Sequence, residues 1–132
     1  MNYVTFETAK RLKAAGFPEP MPEVAFGQLW YYYDGRPYLL ITETGGSPYF
    51  FIGPTANSGR FGDDQMRGMY FAPTATDVFQ KISGPYWMEY HEWDKSFRIY
   101  GNAEAELVSS HENPAEAAAH AWLSIHEKTE TI

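Results

Sequence analysis

The chain contains no cysteine. That excludes disulfide frameworks, thiolate zinc sites, iron–sulfur clusters and a cysteine nucleophile. Long apolar runs are also missing. The longest, Leu29 to Tyr33 and Tyr38 to Ile41, fall far short of the ~20 residues that cross a bilayer. Met1-Asn2-Tyr3-Val4-Thr5-Phe6-Glu7 has no basic start followed by an apolar stretch, so no secretory signal is read there. Positive charge is scarce: 10 Lys and Arg stand against 17 Asp and Glu, a net charge of −7. A chain this acidic is not expected to hold nucleic-acid phosphates. There is no internal repeat and no low-complexity tract. The expectation is a cytoplasmic protein with no membrane segment and no nucleic-acid partner.

What is present is a globular composition. The 132 residues suit one domain, 1–132, able to bury roughly two thirds of its unfolded surface without staples. Hydrophobic residues at 44% and aromatics at 17% exclude a wholly disordered chain.

Helix signals stand at both ends. Thr5 can cap a helix running to about Ala15, with Glu7 in its first turn, Lys10, Arg11 and Lys13 late, and Gly16 and Pro18 beyond its stop. Phe6, Ala9 and Leu12 form its narrow apolar stripe. Near the other end, Asn113 is the cap, Pro114 takes the first helical position, and Glu116 can reach back to the cap. Ala115, Ala118, Ala119, Trp122 and Ile125 line one face of that helix, and Lys128 to Ile132 reads as a frayed tail. A short third helix is capped by Thr74 or Thr76, with Asp77 at its positive end and Gly84-Pro85 past its stop.

Between the helices lie strands. Phe17 to Glu23 carries three prolines and reads as an extended connector. Ala25 to Tyr33 and Arg36 to Thr42 form a hairpin around the two-residue loop Asp34-Gly35. That loop sets Tyr33 against Arg36 and Tyr32 against Pro37, whose missing N–H puts the return strand near an edge there. Tyr49 to Ile52 is a short strand between two Gly-rich loops, Thr44 to Pro48 and Gly53 to Gly59. A second hairpin, Tyr86 to Tyr100, turns at Asp94-Lys95 and sets Tyr90 against Ile99 and His91 against Arg98. Met88, Tyr90, Phe97 and Ile99 then make its core face, and Trp87, Glu89, His91, Trp93, Arg98 and Tyr100 the other. Ala103 to Ser110 adds a strand. The predicted fold is α+β: an antiparallel sheet of about five strands built from both hairpins, with the N- and C-terminal helices packed on one face.

The residues that could carry chemistry each have a plainer reading. Glu116 and His120 stand at i and i+4 on a helix, the spacing of a metal-ligand pair, but no third ligand is evident and the spacing is that of an ordinary surface pair. No metal or cofactor is expected. Ser110 and His111 adjoin on a strand and point to opposite faces. Thr44-Gly45-Gly46-Ser47 lacks the Gly-Lys-Ser/Thr ending of a phosphate loop. Asp63-Asp64 are adjacent, whereas a calcium loop needs alternating acids, and they read as a solvated loop.

The anomaly is aromatic: four Trp, ten Tyr and nine Phe. Tyr31, Tyr32 and Tyr33 alternate across both faces of one strand, and Trp87, His91, Trp93 and Tyr100 crowd the outer face of the second hairpin. Two readings stand equally. Either these surfaces are covered or half-buried with wet hydroxyls, or they mark an interface or a ligand platform.

Three stretches, in this order and spacing, carry a resemblance over nearly the whole chain. They are Thr5 to Pro18 (TFETAKRLKAAGFP), Phe71 to Asp77 (FAPTATD) and Glu112 to Ala118 (ENPAEAA). The chain resembles a family of small uncharacterised proteins carried by phages, prophages and mobile elements of gut Bacteroidetes. The resemblance implies a setting and transfers no catalytic residue.

The expected function is that of a non-catalytic accessory protein of a mobile element, one that homodimerises or binds a partner through its aromatic strands. The residues assigned to that surface are Tyr31, Tyr33, Trp87, His91, Trp93, Arg98 and Tyr100. One alternative is sequestration of a nucleotide-like or aromatic small molecule, stacked on Trp87, Trp93 or Tyr100 with Arg98 meeting an anionic group. Another is a metal-assisted hydrolase using Glu116, His120 and Asp63 or Asp64.

Overall fold

A computed structural model describes residues 3–19, 28–40, 49–53, 58–61, 67–101 and 105–130. The fold is α+β, with two antiparallel sheets among these residues. The chain divides into two compact units, Ala9–Ala72 in one and Met1–Thr8 with Pro73–Ile132 in the other.

In the Ala9–Ala72 unit, β1 (Leu29–Tyr31), β2 (Pro37–Leu40), β3 (Tyr49–Ile52), β4 (Ser58–Phe61) and β5 (Tyr70–Ala72) form a five-stranded sheet in the order β4-β3-β2-β1-β5. The first hairpin is displaced by one residue from the expected register: Tyr31 faces Pro37 and Trp30 faces Tyr38. The reason is the turn. Gly35 takes a left-handed φ of 91°, and Tyr32 N–H donates to the Arg36 carbonyl at 2.8 Å. Tyr33–Gly35 is therefore a three-residue loop ending in a left-handed glycine, not a two-residue one. Asp34 stiffens it by accepting from the Arg36 backbone N–H at 3.1 Å and from its Nε at 2.7 Å.

β2 lies inside the sheet, and the expected edge is confined to Pro37. The strand pairs with β3 at Leu39 and Leu40, short of Pro37, whose missing N–H therefore costs no bond. Ser58 and Gly59, expected in a loop, begin β4. Trp30 and Tyr31 are successive on β1, point to opposite faces, and are both buried.

Helix α1 (Phe6–Ala14) starts on Thr5, whose Oγ accepts from Thr8 N–H at 3.3 Å. It stops at Gly16, where φ is 86°, Gly16 N–H donates to the Lys13 carbonyl, and Phe17 N–H donates to the Leu12 carbonyl. Its last turn is tied down by Lys13, whose ammonium donates to the carbonyls of Arg67 and Met69 at 2.7 and 2.8 Å.

In the other unit, β6 (Tyr86–His91), β7 (Ser96–Gly101) and β8 (Glu106–His111) form a three-stranded sheet in that order. The two hairpins thus belong to different sheets, which corrects the expectation of one sheet built from both. The places beside the first hairpin are taken by β3 and by β5.

Helix α2 (Ala75–Phe79) has a reciprocal cap: Asp77 N–H donates to Thr74 Oγ at 3.2 Å and Thr74 N–H to the Asp77 carboxylate at 3.0 Å. Helix α3 (Pro114–Glu130) is capped by Asn113, whose Oδ1 accepts from Ala115 N–H at 2.9 Å. It continues through Lys128–Glu130, where a frayed tail was expected. It lies on the three-stranded sheet through Ala117 and Ala121, against Ile99, with Phe79, Met88, Phe97 and Val108 around them. Of the predicted stripe, Ala115, Ala118, Ala119 and Trp122 are buried as expected and Ile125 is half-buried, one position round the helix from the residues that meet Ile99. Methyl groups on the contact face let helix and sheet approach closely, so small residues rather than Trp122 make this contact.

Candidate functional site

The second hairpin turns through Glu92–Lys95, with Lys95 in the left-handed region at φ 52°. Its register is His91 to Ser96, Tyr90 to Phe97, Met88 to Ile99 and Trp87 to Tyr100. This lies two residues from the expected pairing. A shift of two keeps every side chain on its face, so Met88 and Ile99 face α3 as expected, and Trp87, Glu89, His91, Arg98 and Tyr100 share the other side.

β8 extends that outer face by an irregularity. Ile99 pairs with Ser109, but Tyr100 pairs with Leu107, so Val108 is the extra residue of a bulge. Val108 packs toward the core and Ser109 donates its hydroxyl to the Ala117 carbonyl, while Leu107 is moved to the outer face, 52% exposed. Simple alternation would have put Leu107 on the same side as Ser109, so no local pattern pointed to it. Trp87, Tyr100 and Leu107 now form one row across three strands. The rings of Trp87 and Tyr100 are stacked, 5.9 Å apart at 24°. Trp87 is 38% exposed, and Trp93 at the hairpin tip 78%.

The polar groups of this face are largely satisfied by one another. Trp87 Nε1 donates to Glu89 at 2.8 Å, and the other Glu89 oxygen lies 3.5 Å from His91 Nε2. Trp93 Nε1 donates to His91 Nδ1 at 3.4 Å, and Tyr100 Oη lies 3.4 Å from His91 Nε2. An indole N–H can only donate, so this contact calls for an unprotonated Nδ1, and the neutral imidazole carries its hydrogen on Nε2. Arg98 donates to Asp94 at 2.6 Å and to Ser96 Oγ at 3.2 Å, and its guanidinium lies 5.0 Å over the Trp93 ring. Hydrogen bonding to Tyr100, and then to Asp94, pushes the Arg98 pKa up further. The Ser96 hydroxyl, with Arg98 behind it, holds the Asp94 carboxyl below its ordinary range.

Five residues of the expected surface, Trp87, His91, Trp93, Arg98 and Tyr100, are therefore gathered on one face of one hairpin. Tyr31 and Tyr33 are not part of it: both belong to the other unit, where Tyr31 is buried in β1 and Tyr33 is 68% exposed in the turn. Arg98 already holds a carboxylate, so an anionic ligand there would have to displace Asp94.

The Glu116 and His120 pair is present, Oε1 to Nε2 at 3.7 Å, and His111 lies beside it with its ring 5.9 Å from that of His120. Two of these groups have other work. Glu116 accepts from Thr5 and Thr8, and His111 Nδ1 accepts from Asn113 N–H at 2.9 Å. Glu116 therefore does not reach back to its own cap. Among the described residues no three His, Asp or Glu side chains are grouped to hold a metal ion, and Asp63 and Asp64 lie outside them, as do residues 44–48. Among the described residues no helix is long and apolar enough to cross a membrane. Compared with known proteins, the chain matches no family model, no curated protein and no solved structure.

Proposed function

We propose that this protein is a small non-catalytic interaction module that docks another protein chain, a second copy or a partner, on the outer face of its three-stranded sheet. The supporting observation is the combination of exposed rings with polar groups already paired among themselves. Burying an unpaired donor or acceptor costs about 1–3 kcal/mol. Here Trp87, Glu89, His91, Trp93, Asp94 and Arg98 keep their mutual bonds when covered. The Trp87, Tyr100 and Leu107 row supplies apolar contact, and Trp and Arg are residue types enriched where binding energy concentrates. The resemblance to proteins of phages and mobile elements of gut Bacteroidetes belongs to this proposal and makes the module an accessory factor acting in the cytoplasm.

Native mass spectrometry and affinity capture on the wild type and on Trp87→Ala/Trp93→Ala test it. A dimer that the double variant loses identifies a second copy as the occupant. A captured protein that the variant fails to hold identifies a heterologous partner. A wild-type monomer at high concentration that captures nothing overturns the proposal.

A further inference from the structure

We propose that a second site, on the opposite face of the β6–β7 hairpin from the docking surface, binds a small organic monocarboxylate with an aromatic body. An open pocket of about 920 Å³ lies between the hairpin tip and the start of α3. That is within the usual size for small-molecule sites. Its apolar lining comes from Tyr90, Phe97 and Pro114. The Tyr90 and Phe97 rings are 4.8 Å apart and tilted at 49°, and Tyr90 is 52% exposed, so an aromatic surface is left open to an incoming ring.

The donors of the pocket fit a carboxylate. Lys95 lines it, and among the described residues its ammonium has no hydrogen-bond or ion-pair partner. His111 also lines it. Its Nδ1 is spent on the Asn113 N–H, which leaves Nε2 to carry the proton of the neutral ring as a donor. The start of α3 adds little: Asn113 Oδ1 already accepts from Ala115 and Glu116 N–H.

The acids of the pocket set the ligand's charge. Glu116 lines the pocket with its carboxylate bonded to Thr5 and Thr8, and Glu112 is exposed and negative at the same opening. These two acids outnumber Lys95, so a dianion such as a phosphate monoester is repelled more strongly than a monocarboxylate, whose single charge is held by direct contact with the Lys95 ammonium.

The test is an NMR titration of the full chain with 2-naphthoate and with its uncharged isostere 2-naphthamide. Lys95→Asn removes the charge and keeps the turn, because Asn accepts the left-handed φ of 52° found there. Tyr90→Ala removes the exposed ring independently. The wild type is expected to bind 2-naphthoate saturably, with shifts at Tyr90, Lys95, Phe97 and His111. The amide and Lys95→Asn are each expected to weaken binding by roughly tenfold, the size of one charge-assisted hydrogen bond. Trp87→Ala, on the docking face, is expected to leave binding unchanged, which separates this site from that one. A Kd above ~1 mM, equal binding of the amide, or undiminished affinity in both Lys95→Asn and Tyr90→Ala overturns the proposal.

Discussion

The carboxylate of Glu116 accepts the hydroxyl of Thr8 at 2.7 Å, joining residues 108 positions apart. The same carboxylate accepts from Thr5 N–H at 3.2 Å. Glu116 stands at the third position of α3, where a glutamate ordinarily turns back on its own cap. Here it caps α1 instead, and His111 Nδ1 takes over the Asn113 N–H at 2.9 Å. One acid thereby ties the start of the first helix to the start of the last.

Replacing it should be costly. Glu116 is 5% exposed, so Glu116→Ala strands the Thr5 and Thr8 donors and should lose about 2–3 kcal/mol in urea unfolding. In a double-mutant cycle with Thr8→Val, a coupling of at least ~0.5 kcal/mol is expected. Strict additivity would show that the 2.7 Å bond contributes nothing.

Gly101 faces Tyr86 across the sheet, and a Cβ added at Gly101 would collide with that ring. Gly101→Ala should therefore cost about 1–3 kcal/mol by overpacking. Tyr86→Ala in the same chain should recover part of it. Circular dichroism during thermal unfolding reads both effects.

Asp94 is held below its ordinary pKa of 3.8, first by the Ser96 hydroxyl and then by Arg98. A carboxyl depressed in the folded state stabilises fully above pH 3.8. That contribution fades as the pH falls through the lower folded value. Side-chain NMR titration should show Asp94 titrating below its ordinary value of 3.8, and Ser96→Ala should move it up. An unchanged titration in Ser96→Ala would refute the assigned cause.

Thr74 and Asp77 exchange two capping bonds at the start of α2. Thr74→Ala should lose about 1 kcal/mol, and Thr74→Ser most of a kcal/mol less than that. Chemical denaturation distinguishes the two.

Trp93 is 78% exposed. Trp93→Ala should alter stability by no more than ~0.5 kcal/mol while weakening association. A large stability loss would mean that the indole is structural rather than a docking surface.

Helix ends were the most legible feature. Thr5, Gly16, Thr74 with Asp77, and Asn113 with Pro114 act on atoms only a few residues away, so their effect follows from neighbouring residue types. The two faces of the second hairpin were legible for a related reason. Side chains alternate with period two, and the pairing fell two residues from the expected one, which left the faces intact.

Pairing between distant segments was not legible in the same way. That β5 rather than the second hairpin would flank β1 depends on which apolar surfaces bury each other across forty residues, and no neighbouring residue reports it. The bulge at Val108 and the burial of Tyr31 are of the same kind. Five members of the docking face could be named from alternation, but Leu107 could not, because one inserted residue reverses the side on which it stands. Caps and alternation are short-range sterics and hydrogen bonding. The partner of Glu116, the membership of each sheet and the pocket beside Lys95 arise from packing, where the favourable arrangement is chosen by the whole chain at once.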